Sequence, residues 1–378
     1  MSDLKASVTE TKRGFHVEGY EKISYDFSFV DGVFDITNPG LAECYKPWGR
    51  VLAVTDKNVF GMYGQKMERY FEHYGLSLKV HKTSIGEKAK TIDTFLSICD
   101  SMTDFGIIRK EPVLVIGGGL VTDVAGFACA AYRRNTNFIR VPTTVIGLID
   151  ASVSIKVAVN YGDYKNRLGA YHAPMHTFLD FTFLRTLPIA QVRNGFAELI
   201  KISSCSHLEV FNLLDKYCEQ LIESKFGRAD DSSNELRHAA DTINREGIYE
   251  MLRLETPNLH ELGLDRVIAY GHTCCTFLNN VSAEELKAAL RKHKGLMNEY
   301  PRCGEGIEAY VDASDTGYTD NDNGKLGVEA AAKEVGMLST SQTSNGNNSG
   351  NNVSEYVNKG LAQSTVRSVD NGVVDGVR

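Results

Sequence analysis

The 378-residue chain predicts an α/β domain over residues 1–186, a mostly α-helical domain over 187–310 and a disordered low-complexity tail over 311–378. Three observations predict this. Short apolar runs alternate with helical patterns up to about residue 186, long helical periodicity begins after Leu187-Pro188, and both periods vanish from about Val311.

Arg50-Val51-Leu52-Ala53-Val54-Thr55, Pro112 to Ile116 and Phe138-Ile139-Arg140-Val141 are near-continuous apolar runs of the kind buried on both faces of a parallel sheet. Val113 to Ala131 approaches membrane-span length, but three adjacent glycines and Asp123 near its middle make it a buried strand followed by a buried helix over Leu120 to Tyr132. Beyond Pro188, Ile189, Val192, Phe196, Leu199 and Ile200 form one helical stripe, and Leu208, Val210, Phe211, Leu214, Cys218 and Leu221 form another. Val328 to Val335 reads as a short exposed helix. Ser339 to Ser354 is almost wholly Ser, Thr, Asn, Gln and Gly and cannot offset its chain entropy by burial.

Lys+Arg 41 against Asp+Glu 48 leaves a formal charge of −7, with no basic run among aromatics, which argues against a nucleic-acid or anionic-membrane partner. Met1 to Lys12 is polar and predicts a cytoplasmic protein without a signal peptide. Eight scattered cysteines without a CxxC pair read as reduced thiols.

Gly117, Gly118 and Gly119 follow an apolar strand and open a helix, a turn that admits a diphosphate against backbone amides or simply makes a tight bend. Thr122 stands where the last glycine of a dinucleotide fingerprint belongs. Asp56 and Asn58 at a strand end read as ribose contacts or as a turn, and Glu87 to Lys90 as a site loop or a solvated one. Arg134, Thr143, Thr144, Asp150, Lys156, Lys165 and Asn166 gather cationic and polar groups near strand ends, which suits a phosphorylated ligand. Asp150 and Lys156 sit in the apolar run Val145 to Val159, where a charge needs a partner or a role, and a structural ion pair is the plainer alternative. Asn194, Glu198 and Lys201 share one helix face, as a metal ligand with supporting groups or as a surface pair; His272 after Gly271 is a candidate second ligand.

Read in order, Gly86-Glu87-x-x-Lys90, Gly117-Gly118-Gly119-x-x-x-Asp123, Tyr132-x-Arg134, Val141-Pro142-Thr143-Thr144, Asp150 with Lys156, Lys165-Asn166-x-x-Gly169-Ala170, Thr186-Leu187-Pro188, Asn194-Gly195-x-Ala197-Glu198-x-x-Lys201 and Gly271-His272-Thr273 resemble the sugar phosphate cyclases of the dehydroquinate synthase superfamily. Ala125 to Arg134 and Leu254 to Leu262 resemble the branch that cyclises sedoheptulose 7-phosphate for mycosporine and gadusol-type sunscreens. The resemblance covers roughly residues 1 to 310. It implies an NAD-binding α/β domain, a helical metal and substrate domain, a sugar phosphate substrate and a homodimer.

By the family pattern, Asp56, Asn58, Glu87, Lys90, Gly117, Gly118, Gly119, Asp123, Thr143, Thr144, Asp150, Lys165 and Thr186 lie on the NAD side, with Asp150 and Lys165 also placed to touch substrate. Arg134, Lys156, Lys201 and Asn166 are the implied catalytic and phosphate-binding set, and Glu198 and His272 hold a zinc- or cobalt-type ion. The implied chemistry oxidises a hydroxyl transiently, eliminates phosphate, reduces the ketone and closes the ring by aldol addition.

Three features depart from the family. Asp265 to Thr276 lacks the Asn and second His of the carboxylate-binding members, which disfavours a carboxylate-binding role and supports the sedoheptulose branch; 2-epi-5-epi-valiolone synthase or 3-dehydroquinate synthase-like activity is the alternative. Phe277-Leu278-Asn279-Asn280 runs directly into Val281 to Leu286, so the block bearing a further metal histidine is missing; His293 does not replace it. Tyr249 stands where a substrate-contacting Lys is expected. The missing helices should uncover the Leu208 to Leu221 stripe, and a cyclase impaired in turnover that still binds NAD is the second reading.

Overall fold

The computed structural model describes residues 6–84, 86–162 and 164–260. His272, His293, the junction after Asn280 and the tail lie outside the described residues.

The chain opens with β1 (Ala6–Thr11) and β2 (Gly14–Gly19), an antiparallel hairpin exposed along its whole length. Next come β3 (Asp26–Phe29), α1 (Gly40–Glu43), β4 (Arg50–Asp56), α2 (Lys57–His73) and β5 (Ser77–Thr83). Then follow α3 (Ile92–Phe105), β6 (Val113–Gly117), α4 (Gly119–Ala131) and β7 (Phe138–Pro142). A π-helical turn (Gly147–Ala151) leads into the antiparallel pair β8 (Lys156–Tyr161) and β9 (Tyr164–Tyr171), and β10 (His176–Leu179) returns to the main sheet. Three helices complete the described chain: α5 (Ile189–Ser206), α6 (Leu208–Glu223) and α7 (Asn234–Glu255).

Six parallel strands in the order β3-β10-β7-β6-β4-β5 make the central sheet. The apolar runs β4, β6 and β7 sit at its centre because both their faces are covered. Val51 and Ala53 of β4 pack with Met67, Tyr70 and Phe71 of α2, and Leu52 and Val54 pack with Ile98 and Met102 of α3 and Val124 and Ala128 of α4. The long apolar stretch from Val113 is thus β6 followed by α4, and no helix among the described residues is long and apolar enough to cross a membrane.

Arg140 is buried in β7. Its Nη1 donates to the carbonyls of Ala151 at 3.1 Å, Ser152 at 3.3 Å and Ser154 at 2.7 Å, pinning the linker between the π-helical turn and β8. Burial lowers its guanidinium pKa to about 10.

The expectation that Leu208 to Leu221 would be uncovered is overturned in part. Leu208 is exposed, but Val210, Phe211, Leu214, Cys218 and Leu221 are buried in one cluster with Phe196 and Leu199 of α5 and Ile243 of α7. The packing of α5 and α7 on α6 suffices to cover the stripe. Among the described residues Cys44, Cys99, Cys129 and Cys218 are free thiols, as the lack of paired spacing predicts.

The helical layer meets the α/β layer with no room for a side chain at Gly195, where a Cβ would stand 2.1 Å from the Cβ of Val145. Gly195→Ala should therefore cost about 1–3 kcal/mol in urea unfolding, and Val145→Ala in the same chain should recover part of the loss. His172 is buried, its Nε2 2.9 Å from the Thr136 carbonyl, and desolvation pushes the imidazole below its ordinary value of 6.5. Its contribution to stability is full above pH 6.5 and is lost as the pH falls from there towards the lowered folded value, because only the unfolded chain takes up the proton. Urea midpoints between pH 7.5 and 5.5 should fall less steeply in His172→Gln.

Candidate functional site

All six strands run the same way, so the carboxyl ends of β4, β6 and β7 share one edge. The chain steps outward from β4 to β5 and returns to β6 on the other side of β4, and this reversal opens a crevice over the ends of β4 and β6. Gly117 closes β6, and Gly118, with extended backbone, precedes α4 without any side-chain cap or acidic residue in the first turn. The first amides of α4, at the partly exposed Gly119 and Leu120, therefore open the helix with no side chain capping them, as an anion site requires.

Glycine is required here for packing as well. A Cβ on Gly117 would stand 2.7 Å from the Val121 Cβ, and one on Gly118 would stand 3.0 Å from the Thr144 Cγ2. The N–H of Thr143 donates to the Gly117 carbonyl at 3.0 Å, and the Thr144 hydroxyl accepts from the N–H of Gly147 at 3.0 Å. The cradle fits the diphosphate of a dinucleotide. Thr122, in place of the fingerprint's last glycine, is accommodated because its hydroxyl donates to the Gly118 carbonyl at 3.2 Å.

Asp56 caps α2, accepting through one oxygen from the N–H groups of Asn58 at 2.8 Å and Val59 at 2.9 Å. Thr186, just ahead of α5, has its hydroxyl 2.6 Å from that of Tyr63 on α2, a contact with no sequence signal.

Lys90 overturns the solvated-loop reading: it is buried, and its Nζ donates to Asp123 Oδ2 of α4 at 2.5 Å and to the Asn166 side-chain oxygen of β9. Burial pushes the Asp123 carboxyl above its ordinary range while Lys90 pulls it down. Glu87 lies in the same cluster, accepting from Asn160 Nδ2 at 2.9 Å and standing 3.9 Å from Lys165 Nζ. Asp123 and Asn166 thus meet around the Lys90 ammonium, and Glu87 stands near the ammonium of Lys165, so five expected site residues gather in two linked groups.

The surface-pair reading of Glu198 and Lys201 is likewise overturned. Both are buried on α5 and ion-paired, and the Asn194 side-chain oxygen one turn earlier is buried with no hydrogen-bond partner. Gly195 on the same helix packs directly on Val145, the residue that follows Thr144 in the chain. An unsatisfied oxygen next to a buried carboxylate suits a divalent cation. No group of three His, Cys, Asp or Glu residues among the described residues could hold a metal by itself, and the second expected ligand, His272, lies outside them.

Other expected residues are placed differently. Lys156 is not buried in an apolar run; it begins β8, is half exposed, and stands 3.9 Å from Glu255 at the end of α7. Asp150 lies in the π-helical turn. Arg134 follows α4 in an exposed turn with left-handed backbone (φ 54°), at the far end of that 13-residue helix from the glycine turn. Tyr249 is exposed.

Comparison with known proteins follows the same lines. The family described as 3-dehydroquinate synthase N-terminal matches residues 80–194. Demethyl-4-deoxygadusol synthase of Trichormus variabilis is 43% identical over 399 aligned positions, covering 82% of this chain and 97% of that protein. Since 82% of 378 residues is about 310, about 90 of those 399 positions have no residue opposite them in this chain. A 2-epi-5-epi-valiolone synthase of Actinomyces is 36% identical over 269 residues, 68% of each chain. The structure of 2-epi-5-epi-valiolone synthase from Streptomyces hygroscopicus subsp. jinggangensis, with NAD+ and Zn2+ bound, superposes with a TM-score of 0.67 at 27% identity, covering 93% of this chain and 99% of that one.

Lys90→Met should leave the Asp123 carboxylate without its cation and cost about 2–4 kcal/mol in urea unfolding. Asp123→Asn in the Lys90→Met background should recover part of that loss.

Proposed function

The chain belongs to the dehydroquinate synthase superfamily of sugar phosphate cyclases, and on that premise we propose that it converts sedoheptulose 7-phosphate to demethyl-4-deoxygadusol with elimination of phosphate. The observation that carries this reading is the buried Glu198–Lys201 pair on α5, the helix whose Gly195 packs on Val145 next to Thr144. A buried carboxylate of this kind supports the metal role that the family pattern gives Glu198. The enzyme class is a phosphate-eliminating carbon–oxygen lyase working in the cytosol.

Bound there, NAD supplies a transient oxidation that is later reversed, and a zinc- or cobalt-type ion polarises the oxygen being oxidised. The chain's own residues do the rest. The first-turn amides of α4, with Thr143 and Thr144, hold the diphosphate, while Asp56, Asn58 and Thr186 line the ribose side. Glu198, with His272, would hold the metal, and Lys201 beside it donates to a substrate hydroxyl. Asn166 and Lys156 face the departing phosphate, where a neutral donor and a cation stabilise the negative charge that accumulates on the leaving oxygen. The α5–α7 layer covers Glu198, which strengthens each of these interactions by excluding water.

A second reading is favoured by one observation: the aligned positions without counterpart here agree with loss of the block that bears a further metal histidine. In that reading the chain retains NAD but not turnover. Phosphate release from sedoheptulose 7-phosphate in the presence of NAD and zinc or cobalt, with the product identified by mass, separates the two readings. It also distinguishes a valiolone-type product. The expected result is release that a chelator abolishes and that Glu198→Ala lowers at least a hundredfold, since removing even an outer-shell partner of a metal costs about 10–100-fold. Phosphate release unaffected by either change would overturn the proposal.

A further inference from the structure

We infer that Asn160, which has no place in the motifs above, is a positioning residue that locks the cofactor-side loop to the phosphate-side hairpin; the inference deepens the proposed function and rests on it. Asn160 sits where the β8–β9 ladder breaks. Val159 pairs with Leu168 and Tyr161 pairs with Tyr164, so Lys165, Asn166 and Arg167 bulge out opposite a single residue. A bulge leaves backbone groups without ladder partners and re-aims the side chains it carries.

Asn160 satisfies both sides of the break. Its side-chain oxygen accepts from the N–H of Asn166 at 2.8 Å, and its own N–H leaves the hairpin to donate to the Lys90 carbonyl at 2.9 Å. Its Nδ2 donates to Glu87 Oε1 at 2.9 Å. The orientation of the amide is fixed by its partners, because an N–H only donates and a carboxylate only accepts.

Held this way, Asn166 adopts a left-handed backbone (φ 54°) and turns its side-chain oxygen onto the Lys90 ammonium. One side chain thereby sets the relative position of Glu87 and Lys90 on the cofactor side and Asn166 on the phosphate side. The two arms are separable: the acceptor serves Asn166 and the donor serves Glu87.

The test uses the full chain. Calorimetric titration of the cofactor-free protein with NAD reads one arm, and KM for sedoheptulose 7-phosphate reads the other. Asn160→Asp keeps the acceptor and loses the donor, so NAD affinity should fall about tenfold or more, as for a lost hydrogen bond to a charged group, with KM within about twofold of the unsubstituted value. Asn160→Ala should raise KM about tenfold as well. Adding Glu87→Gln to Asn160→Asp restores a donor–acceptor pair in reversed polarity and should bring NAD affinity back to that of Glu87→Gln by itself. Unchanged NAD affinity in Asn160→Asp, or equal loss in both readouts for Asn160→Asp and Asn160→Ala, would overturn the inference. If Asn160→Ala does not fold, the Asp series decides. A chain that binds NAD but does not turn over overturns the cyclase reading instead, and the NAD titrations still decide the role of Asn160. A chain that does not bind NAD overturns both.

Discussion

Two close approaches of backbone to side chain set the distances on which the site depends. Gly118 lets Thr144 lie against the turn that opens α4, and Gly195 lets α5 settle onto Val145, the next residue in the chain after Thr144. Any side chain at either position would push the helices away from the sheet edge. Both approaches converge on the neighbouring residues Thr144 and Val145, which ties the glycine turn and α5, 80 residues apart from Gly118 to Glu198, to one short segment. The packing is steric and demands no polar group, which leaves the polar groups of both layers available for a ligand.

Around this frame the charged residues are handled by burial. Lys90 is taken out of water and compensated by Asp123 and Asn166, and Glu198 is compensated by Lys201. Arg140 plays a quieter part, its guanidinium gathering three carbonyls that would otherwise lack partners in a linker with no ladder of its own. Lys90 and Arg140 each reach an adjacent segment and fix a loop that regular secondary structure does not, whereas Lys201 and Glu198 pair within one helix.

The legible part of the sequence was the part whose burial is two-sided. β4, β6 and β7 announce themselves because each is a near-continuous apolar run, and the glycine turn because a strand precedes it and a helix follows. The hairpin β1–β2 does not, since it is exposed throughout, and β8–β9 does not, since only alternate residues of β8 such as Val157 and Val159 are buried and β9 is largely exposed. The burial of Glu198 was equally hidden: a Glu and a Lys three apart look the same on a wet helix face as on a covered one, and only the packing of α6 and α7 decides between them. Asn160 was missed because its partners Glu87 and Lys90 lie some seventy residues earlier in the chain.

The left-handed backbone at residue 166 narrows what evolution can place there. Only glycine, asparagine and aspartate adopt that conformation cheaply, and of these glycine offers Lys90 no acceptor. Aspartate would accept, but it would set a second carboxylate beside Asp123 around a single ammonium. Backbone geometry and charge balance together leave asparagine as the one residue that meets both demands, so drift at this codon is restrained whatever the chain now does with its substrate.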